Sequence, residues 1–203
     1  CKRALVETNG DLEKAVELLR KKGAAIAAKR AGNITKNGRI ESFIDSNNKQ
    51  GSLVQISCET DFSANTDDMK QFAVKTAKEI TNNNFGSVEE LLEKSTDIKN
   101  LLNEMLAKIS EKIEISKIES FLVENMGIVG TYIHPGSTVG ILIELSTDKI
   151  TDNLEDLKSA ARNICMHIAV TNPVSISPED LDKNILDKEK SLIKEQLKTS
   201  GKP

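Results

Sequence analysis

An internal duplication constrains the fold of this chain more than any other feature of its sequence. Three pairs of segments match in residue type and order: 38–44 with 127–133, 54–56 with 141–143, and 72–80 with 160–168. Alternation of apolar and polar residues predicts strands in the first two pairs, and apolar residues three and four apart predict a helix in the third. The chain is therefore predicted to contain a hairpin followed by a helix, twice over, giving two related α+β halves packed together.

The first copy shows the pattern most clearly. Its returning strand places Val54, Ile56 and Cys58 on the inward face. The helix that follows carries one apolar face, made of Met69, Phe72, Ala73, Thr76, Ala77 and Ile80. A strand face and a helix face of this kind are expected to pack against each other as the core of the first half.

Two short helices precede the duplicated core. The pair Asn9-Gly10 predicts a turn between them, Asp11 is expected to cap the second helix, and Gly23 is expected to end it. Residues 1–23 are thus predicted to form an N-terminal helical module, and residues 24–37 a basic linker rich in small residues. Two helices of this size bury little surface alone, so a further helix is expected before residue 1.

The remaining segments divide the core. Residues 85–109 are predicted to be helical, with a capping box at Ser87, and residues 113–122 to form a strand whose register slips near Lys117. We assign residues 38–112 to the first half of the core and 113–175 to the second. Residues 176–203, which open on Ser177 and Pro178, are predicted to be a C-terminal helical segment that continues beyond the chain.

The charge distribution leaves two kinds of partner open. Residues 1–39 contain ten basic and four acidic residues, a net charge of +6, so the rest of the chain carries −9 of the overall −3. A basic head suits either nucleic acid or an acidic protein surface. The first 42 residues contain no aromatic side chain on which a base could stack. A protein partner is therefore favoured and no direct nucleic-acid binding is expected, with a nucleic-acid-binding module as the alternative.

Catalytic and metal sites find little support in the sequence. Cys165 and His167 stand two apart on a helix and point about 200° apart, so they cannot act as a thiol with its base. Both lie near the apolar face of that helix, so a packed core pair is favoured. Cys58 is expected in the core, and a hydrolase using either thiol is disfavoured. Two distant histidines and three scattered cysteines form no metal-binding pattern. We expect neither an enzyme nor a bound cofactor.

The cysteines and the length of the apolar runs indicate where in the cell the protein is expected. An odd number of unclustered cysteines favours reduced thiols and a cytoplasmic protein. No apolar run approaches the roughly 20 residues that span a bilayer, so no membrane contact is expected.

The pair Asp61-Phe62 is the best candidate for a binding site. Most phenylalanines pack into their own core. Phe62, however, follows the last inward strand residue and precedes the helical face, among polar neighbours. A large apolar side chain on a polar loop between rigid elements is typical of a residue that binds a partner.

Several motifs resemble the elongation factor Ts family. They are Lys2-Arg-Ala-Leu, Asn9-Gly10-Asp11, Cys58-Glu59-Thr60-Asp61-Phe62, Tyr132-Ile-His134, Met166-His167-Ile168-Ala169 before Asn172-Pro173, and the closing Ser200-Gly201-Lys202-Pro203. The resemblance covers essentially the whole chain in the family's order. It implies a ubiquitin-associated-like helical module, then a core of two small antiparallel sheets packed with helices. It also implies that the module's first helix, the family's helical protrusion and its C-terminal part lie outside this sequence.

The resemblance further implies a function in translation. Members of the family exchange guanine nucleotide on elongation factor Tu, binding it with GDP and without nucleotide, in the bacterial cytoplasm or in organelles. The family's loop enters the partner and disturbs its Mg²⁺ site, which assigns that role here to Thr60, Asp61, Phe62 and Ser63. Four further contacts are implied at Lys2, Ile109, Ser110 and His134. Ser63 replaces the family's usual valine, Ser110 replaces a glycine, and Pro135 stands where glycine is common, which bears on the strength of the interaction.

Overall fold

The chain folds as a mixture of helices and small antiparallel sheets, as the computed structural model shows. The structure describes residues 2–124, 126–147 and 153–200. It divides into one unit from Cys1 to Ala169 and a second from Val170 to Pro203. The α+β class and the two sheets packed with helices are confirmed.

The elements follow one another in a simple order. The helices are α1 (Lys2–Glu7), α2 (Leu12–Arg30), α3 (Asp61–Ala64), α4 (Asp67–Asn83), α5 (Val88–Lys94), α6 (Thr96–Ile109), α7 (Leu154–Thr171) and α8 (Lys183–Ser200). The strands are β1 (Asn37–Ile44), β2 (Gln50–Cys58), β3 (Ile113–Leu122), β4 (Gly127–Ile133) and β5 (Gly140–Ser146). In the second unit a short 3₁₀ turn (Pro178–Asp180) precedes α8.

The core of the first unit forms where the alternating strand meets the helical face. Val54, Ile56 and Cys58 of β2 are fully buried, as predicted. The predicted face of α4 is buried as well, from Met69 to Ile80. Apolar burial of this kind stabilises by about 25 cal/mol per Å² removed from water, so the contact between α4 and β2 fixes both ends of the loop that joins them.

The duplication is visible in the fold. The hairpin β1–β2 followed by α4 is repeated as the hairpin β4–β5 followed by α7. Gly38 and Gly127 occupy equivalent places near the start of each hairpin, and a Cβ at either would collide with the backbone carbonyl of Ile56 or Leu145 on the paired strand. The close approach of two backbones therefore accounts for a glycine in both copies. In the sequence, Thr147-Asp148 follows the second strand of the second copy as Thr60-Asp61 follows that of the first, and Asp148 lies outside the described residues.

The third strand belongs to the first sheet, which corrects the predicted boundary at residue 113. β3 pairs antiparallel with β2, giving the order β1-β2-β3, whereas β4 and β5 form a separate two-stranded sheet. The assignment failed because β2 has two edges and β1 satisfies only one of them. The predicted register slip is present, since Gln55 pairs with Lys117 while Ile56 pairs with Ile115, leaving Ser116 as a bulge.

The second helix is longer than predicted. α2 continues past Gly23 to Arg30, so the expected linker 24–37 is helical over its first half. Alanine is the strongest helix former, and the alanines of this stretch favour helix where their small size suggested a loop. Gly23 serves packing rather than termination, because a Cβ there would collide with the backbone carbonyl of Asn103 in α6.

Candidate functional site

The loop after β2 is a single helical turn. Thr60 is its N-cap, and the Thr60 hydroxyl accepts a hydrogen bond from the Ser63 amide at 3.2 Å. Asn65 ends the turn, and its backbone amide donates hydrogen bonds to carbonyls of α3. Thr66 then caps α4 by accepting a bond from the Met69 amide. The caps at Thr60 and Thr66 lie within seven residues of each other. Together they define the change of chain direction between β2 and α4.

Phe62 projects from this turn into solvent. Its side chain is 82% exposed, the largest exposure among the five phenylalanines and one tyrosine of the chain, all of which the structure describes. Asp61 is also exposed, and its carboxylate accepts a hydrogen bond from the Phe62 amide. One face of the turn therefore presents an aromatic ring beside a negative charge.

The other two residues of the predicted contact loop face inward. The Ser63 side chain is only 6% exposed, and its hydroxyl lies 3.2 Å from that of Thr60. Ser63 therefore supports the turn from beneath and is not part of its exposed tip. Thr60 is half-buried and holds the cap. In this structure the side chains that a partner can reach are those of Asp61 and Phe62.

Two residues that the sequence did not single out grip the ends of the turn. The Glu111 carboxylate accepts hydrogen bonds from the Thr60 amide at 3.1 Å and from the Thr60 hydroxyl at 2.9 Å. At the other end, the Arg39 guanidinium donates to the Ala64 carbonyl at 3.0 Å. The partners are separated by 51 and 25 residues, so no local sequence signal identifies either contact.

Glu59, next to the turn, joins three segments. Its carboxylate accepts hydrogen bonds from the Lys112 amide and from Arg30 at the end of α2. The Lys112 amide, then the Asn33 side chain and Arg30 hold the pKa of Glu59 well below its usual value, at about 2. The charged carboxylate thus ties the helical module and the start of β3 to the base of the loop.

Glu59→Gln tests this tie through its pH dependence. A lowered folded-state pKa contributes stability that is present above the unfolded value near 4.5 and is lost as pH falls through about 2. We expect Glu59→Gln to lower the urea midpoint of unfolding at neutral pH and the difference from the parent chain to shrink progressively below about pH 4.5. A difference in urea midpoint between Glu59→Gln and the parent chain that stays constant down to about pH 2 would contradict this role of the Glu59 carboxylate.

The hairpin turn that follows β4 carries His134. The His134 side chain is exposed, and its backbone closes the turn with bonds to Val139 and Ser137. This turn and the end of α3 border one surface groove of about 280 Å³, which Asp61, Asn65 and Ser137 help to line. Asp61 and residues of the turn that carries His134 therefore border the same groove, although Asp61 and His134 are 73 residues apart in sequence.

Ile109 and Ser110 lie at the end of α6. Ile109 is half-buried, and Ser110 is exposed in the left-handed conformation at φ 59°, donating its amide to the Leu106 carbonyl. Glycine adopts this conformation without strain, so a glycine at this position has a backbone reason. Lys2 is exposed in α1.

The cysteines are placed for packing. Cys58 and Cys165 are fully buried, and His167 is exposed. The predicted core pair of Cys165 with His167 is therefore wrong, because residues two apart point to opposite sides of the helix. Across the residues that the structure describes, no cluster of three His, Cys, Asp or Glu side chains could hold a metal ion. None of the helices so described is long and apolar enough to cross a membrane.

Both buried thiols are expected to resist alkylation. Burial raises the pKa of Cys58 and of Cys165 to about 11, with the nearby Glu111 charge adding to the effect at Cys58. Since the thiolate is the reactive form, iodoacetamide near neutral pH should leave both unmodified in the folded protein and modify both after unfolding in urea. Peptide mapping by mass spectrometry measures this. Rapid modification of either thiol in the folded chain would reopen the hydrolase alternative.

Comparison with known proteins gives a consistent result. The family model described as Elongation factor TS matches residues 59–203. Elongation factor Ts of Clostridium perfringens (strain SM101 / Type A) is 41% identical over 207 residues, covering 100% of this chain and 67% of the relative. The proteins of that name from Clostridium acetobutylicum and Nautilia profundicola are 39% and 40% identical over 208 and 206 residues, with the same shares covered. The chain thus spans about two-thirds of the length of these relatives.

Proposed function

The chain belongs to the elongation factor Ts family of translation elongation factors, and we propose that it is a guanine-nucleotide exchange factor. It binds elongation factor Tu carrying GDP, promotes release of the GDP, and remains bound to the nucleotide-free partner. Phe62 enters the partner's nucleotide-binding domain beside the Mg²⁺ site, and Asp61 contacts polar groups next to it.

The exposed Phe62 on its capped turn is the observation that carries the proposal. An aromatic ring exposed at 82% contributes little to the fold of its own chain. Aromatic side chains that fill a pocket on a partner dominate the energy of many interfaces. The turn is fixed between β2 and α4, so its backbone loses little conformational freedom on binding.

The mechanism requires displacement and no covalent chemistry. Mg²⁺ neutralises and orients the phosphates of a bound nucleotide, so moving the ion or its ligands weakens GDP binding and speeds GDP release. The effect is reciprocal: if the chain weakens GDP binding, GDP weakens binding of the chain by the same factor. The chain therefore acts without being an enzyme in the usual sense and without a cofactor of its own.

Four other residues are proposed as secondary contacts. His134 belongs to the turn whose residue Ser137 lines the same groove as Asp61, which suits one partner surface touching both elements. Ile109 and Ser110 end α6 next to Glu111, which holds the Phe62 turn. Lys2 presents a positive charge from the helical module. We propose that the protein works in the cytoplasm, where its partner is found, and that it does not bind nucleic acid directly.

GDP release from purified elongation factor Tu tests the function. Tu is loaded with a fluorescent GDP analogue and mixed with excess unlabelled GDP, with or without the chain. We expect the chain to accelerate loss of the fluorescent nucleotide and to co-elute with nucleotide-free Tu in gel filtration. An unchanged release rate would contradict the proposal, and a gel shift with RNA at low salt would favour the nucleic-acid alternative.

A further inference from the structure

The turn that carries Phe62 cannot hold its own shape. α3 has four residues, whereas isolated helices shorter than about 12 residues are marginal in water because nucleation is costly. Its orientation must therefore come from contacts with the rest of the fold: the burial of Ser63 and Ala64, and the hydrogen bonds at its two ends.

At the entry, Glu111 holds Thr60 through both carboxylate oxygens. One oxygen accepts from the Thr60 amide and the other from its hydroxyl. Glu111 is itself held in place, because Ser110 closes α6 before it and the Lys112 amide binds Glu59 after it. The segment between α6 and β3 thus restrains Thr60, the N-cap of α3, through two hydrogen bonds. Hydrogen bonds to a carboxylate are stronger than neutral ones.

At the exit, Arg39 links the turn to the second half of the core. One guanidinium nitrogen donates to the Ala64 carbonyl, and another donates to Glu41 at 2.9 Å and to the Ser137 hydroxyl at 3.2 Å. Arg39 is only 7% exposed, and among the described residues its Nε has no hydrogen-bond partner. Burying a charged fork with one nitrogen unpaired is costly, and the hydrogen bonds that Arg39 makes offset part of that cost.

We propose that Glu111 and Arg39 are positioning residues that clamp α3 and so fix the direction of the Phe62 ring before a partner is met. Arg39 also sets the distance between the Phe62 turn and the His134 turn, because Ser137 belongs to the latter. This inference rests on the proposed exchange function and assigns the residues that prepare its contact surface.

Loss of the Glu111 or Arg39 contacts is expected to change the concentration of chain that gives half-maximal GDP release. If the ring points correctly only part of the time, the apparent affinity for the partner falls by that fraction. Once bound, the ring still reaches its place. Loosened variants should therefore need more protein for half-maximal GDP release, by about tenfold, while the maximal release rate is kept.

Fluorescence tests the clamp without any partner. The chain contains no tryptophan, so Phe62→Trp introduces a single indole at the tip of the turn, which can be excited selectively at wavelengths where tyrosine does not absorb. Time-resolved anisotropy of this indole should show faster and wider local motion when Glu111→Ala or Arg39→Met is added. Glu111→Gln keeps one acceptor oxygen and should be intermediate. The matched control is Glu90→Ala, which removes a carboxylate that accepts the Gly86 amide at a helix start away from α3.

Each outcome decides the matter. Increased motion of the indole in the Glu111 and Arg39 variants, with Glu90→Ala unchanged, supports the clamp. Unchanged motion in folded Glu111→Gln and Arg39→Lys variants overturns it, and those two substitutions guard against unfolding. In the exchange assay with Phe62 restored, a lower maximal rate at unchanged half-saturation also overturns it. If the parent chain does not accelerate GDP release, the proposed exchange function is wrong. The anisotropy measurement then still tests whether Glu111 and Arg39 restrict the motion of α3.

Discussion

Under the proposed function, Phe62→Ala is expected to slow chain-dependent GDP release from elongation factor Tu by about 30-fold or more at saturating protein. The figure corresponds to a loss of about 2 kcal/mol, the lower limit for a residue that dominates an interface. In the proposed mechanism Phe62 acts at the partner's Mg²⁺ site, which alanine is too short to reach, so we expect the maximal rate to fall and not only the affinity. Stopped-flow measurement with a fluorescent GDP analogue gives both quantities.

The fold should tolerate this substitution. Removing a side chain exposed at 82% changes the free energy of unfolding by no more than about 0.5 kcal/mol, which urea unfolding can check. Val170→Ala is the matched control, since it trims another apolar side chain, exposed at 86% in α7, and should leave exchange unchanged. Equal slowing by both variants, or none by Phe62→Ala, would remove Phe62 from the mechanism.

Gly23→Ala should destabilise the first unit by about 1–3 kcal/mol, the usual cost of overpacking. In an exposed helix the same change stabilises by up to about 1 kcal/mol, so the sign of the effect is itself the prediction. The added methyl would collide with the backbone carbonyl of Asn103, which is fixed by the hydrogen bonds of α6 and cannot move alone. The helical module would have to lift from α6.

Urea unfolding of Gly23→Ala beside Gly32→Ala measures this cost. A Cβ at Gly32 meets nothing within 4 Å, so that variant should unfold close to the parent. A Gly23→Ala protein as stable as the parent, or more stable, would show that α2 and α6 are not in close contact in solution.

The repeated part of the fold could be predicted because its signal is local. The two hairpins and their helices follow from the spacing of residues such as Ile56 in β2 and Ile80 in α4. Period-two and period-3.6 patterns depend only on which face of an element is buried. The same logic failed at β3, since its sequence is a good strand but does not say which open edge it will join.

The site was predictable only at its tip. Phe62 was conspicuous as an aromatic side chain among polar neighbours, and the structure leaves it exposed. Glu111 and Arg39 were not conspicuous, because a glutamate after a helix and an arginine in a strand are usually surface residues. Their roles depend on contacts with Thr60 and Ala64, which only the folded chain makes. The inward orientation of Ser63 was not predictable for the same reason: it is set by the cap at Thr60, which hydrophobicity does not report.

The most direct test of Phe62 acting through the partner's Mg²⁺ site is the release rate of GDP from elongation factor Tu with and without free Mg²⁺. The quantity to compare is the acceleration, the rate with saturating chain divided by the rate without it. A chain that works by disturbing the ion should accelerate release much more in millimolar Mg²⁺ than in excess EDTA, where the ion is already gone, and Phe62→Ala should abolish most of that difference. An acceleration of the same size in both conditions would contradict the mechanism.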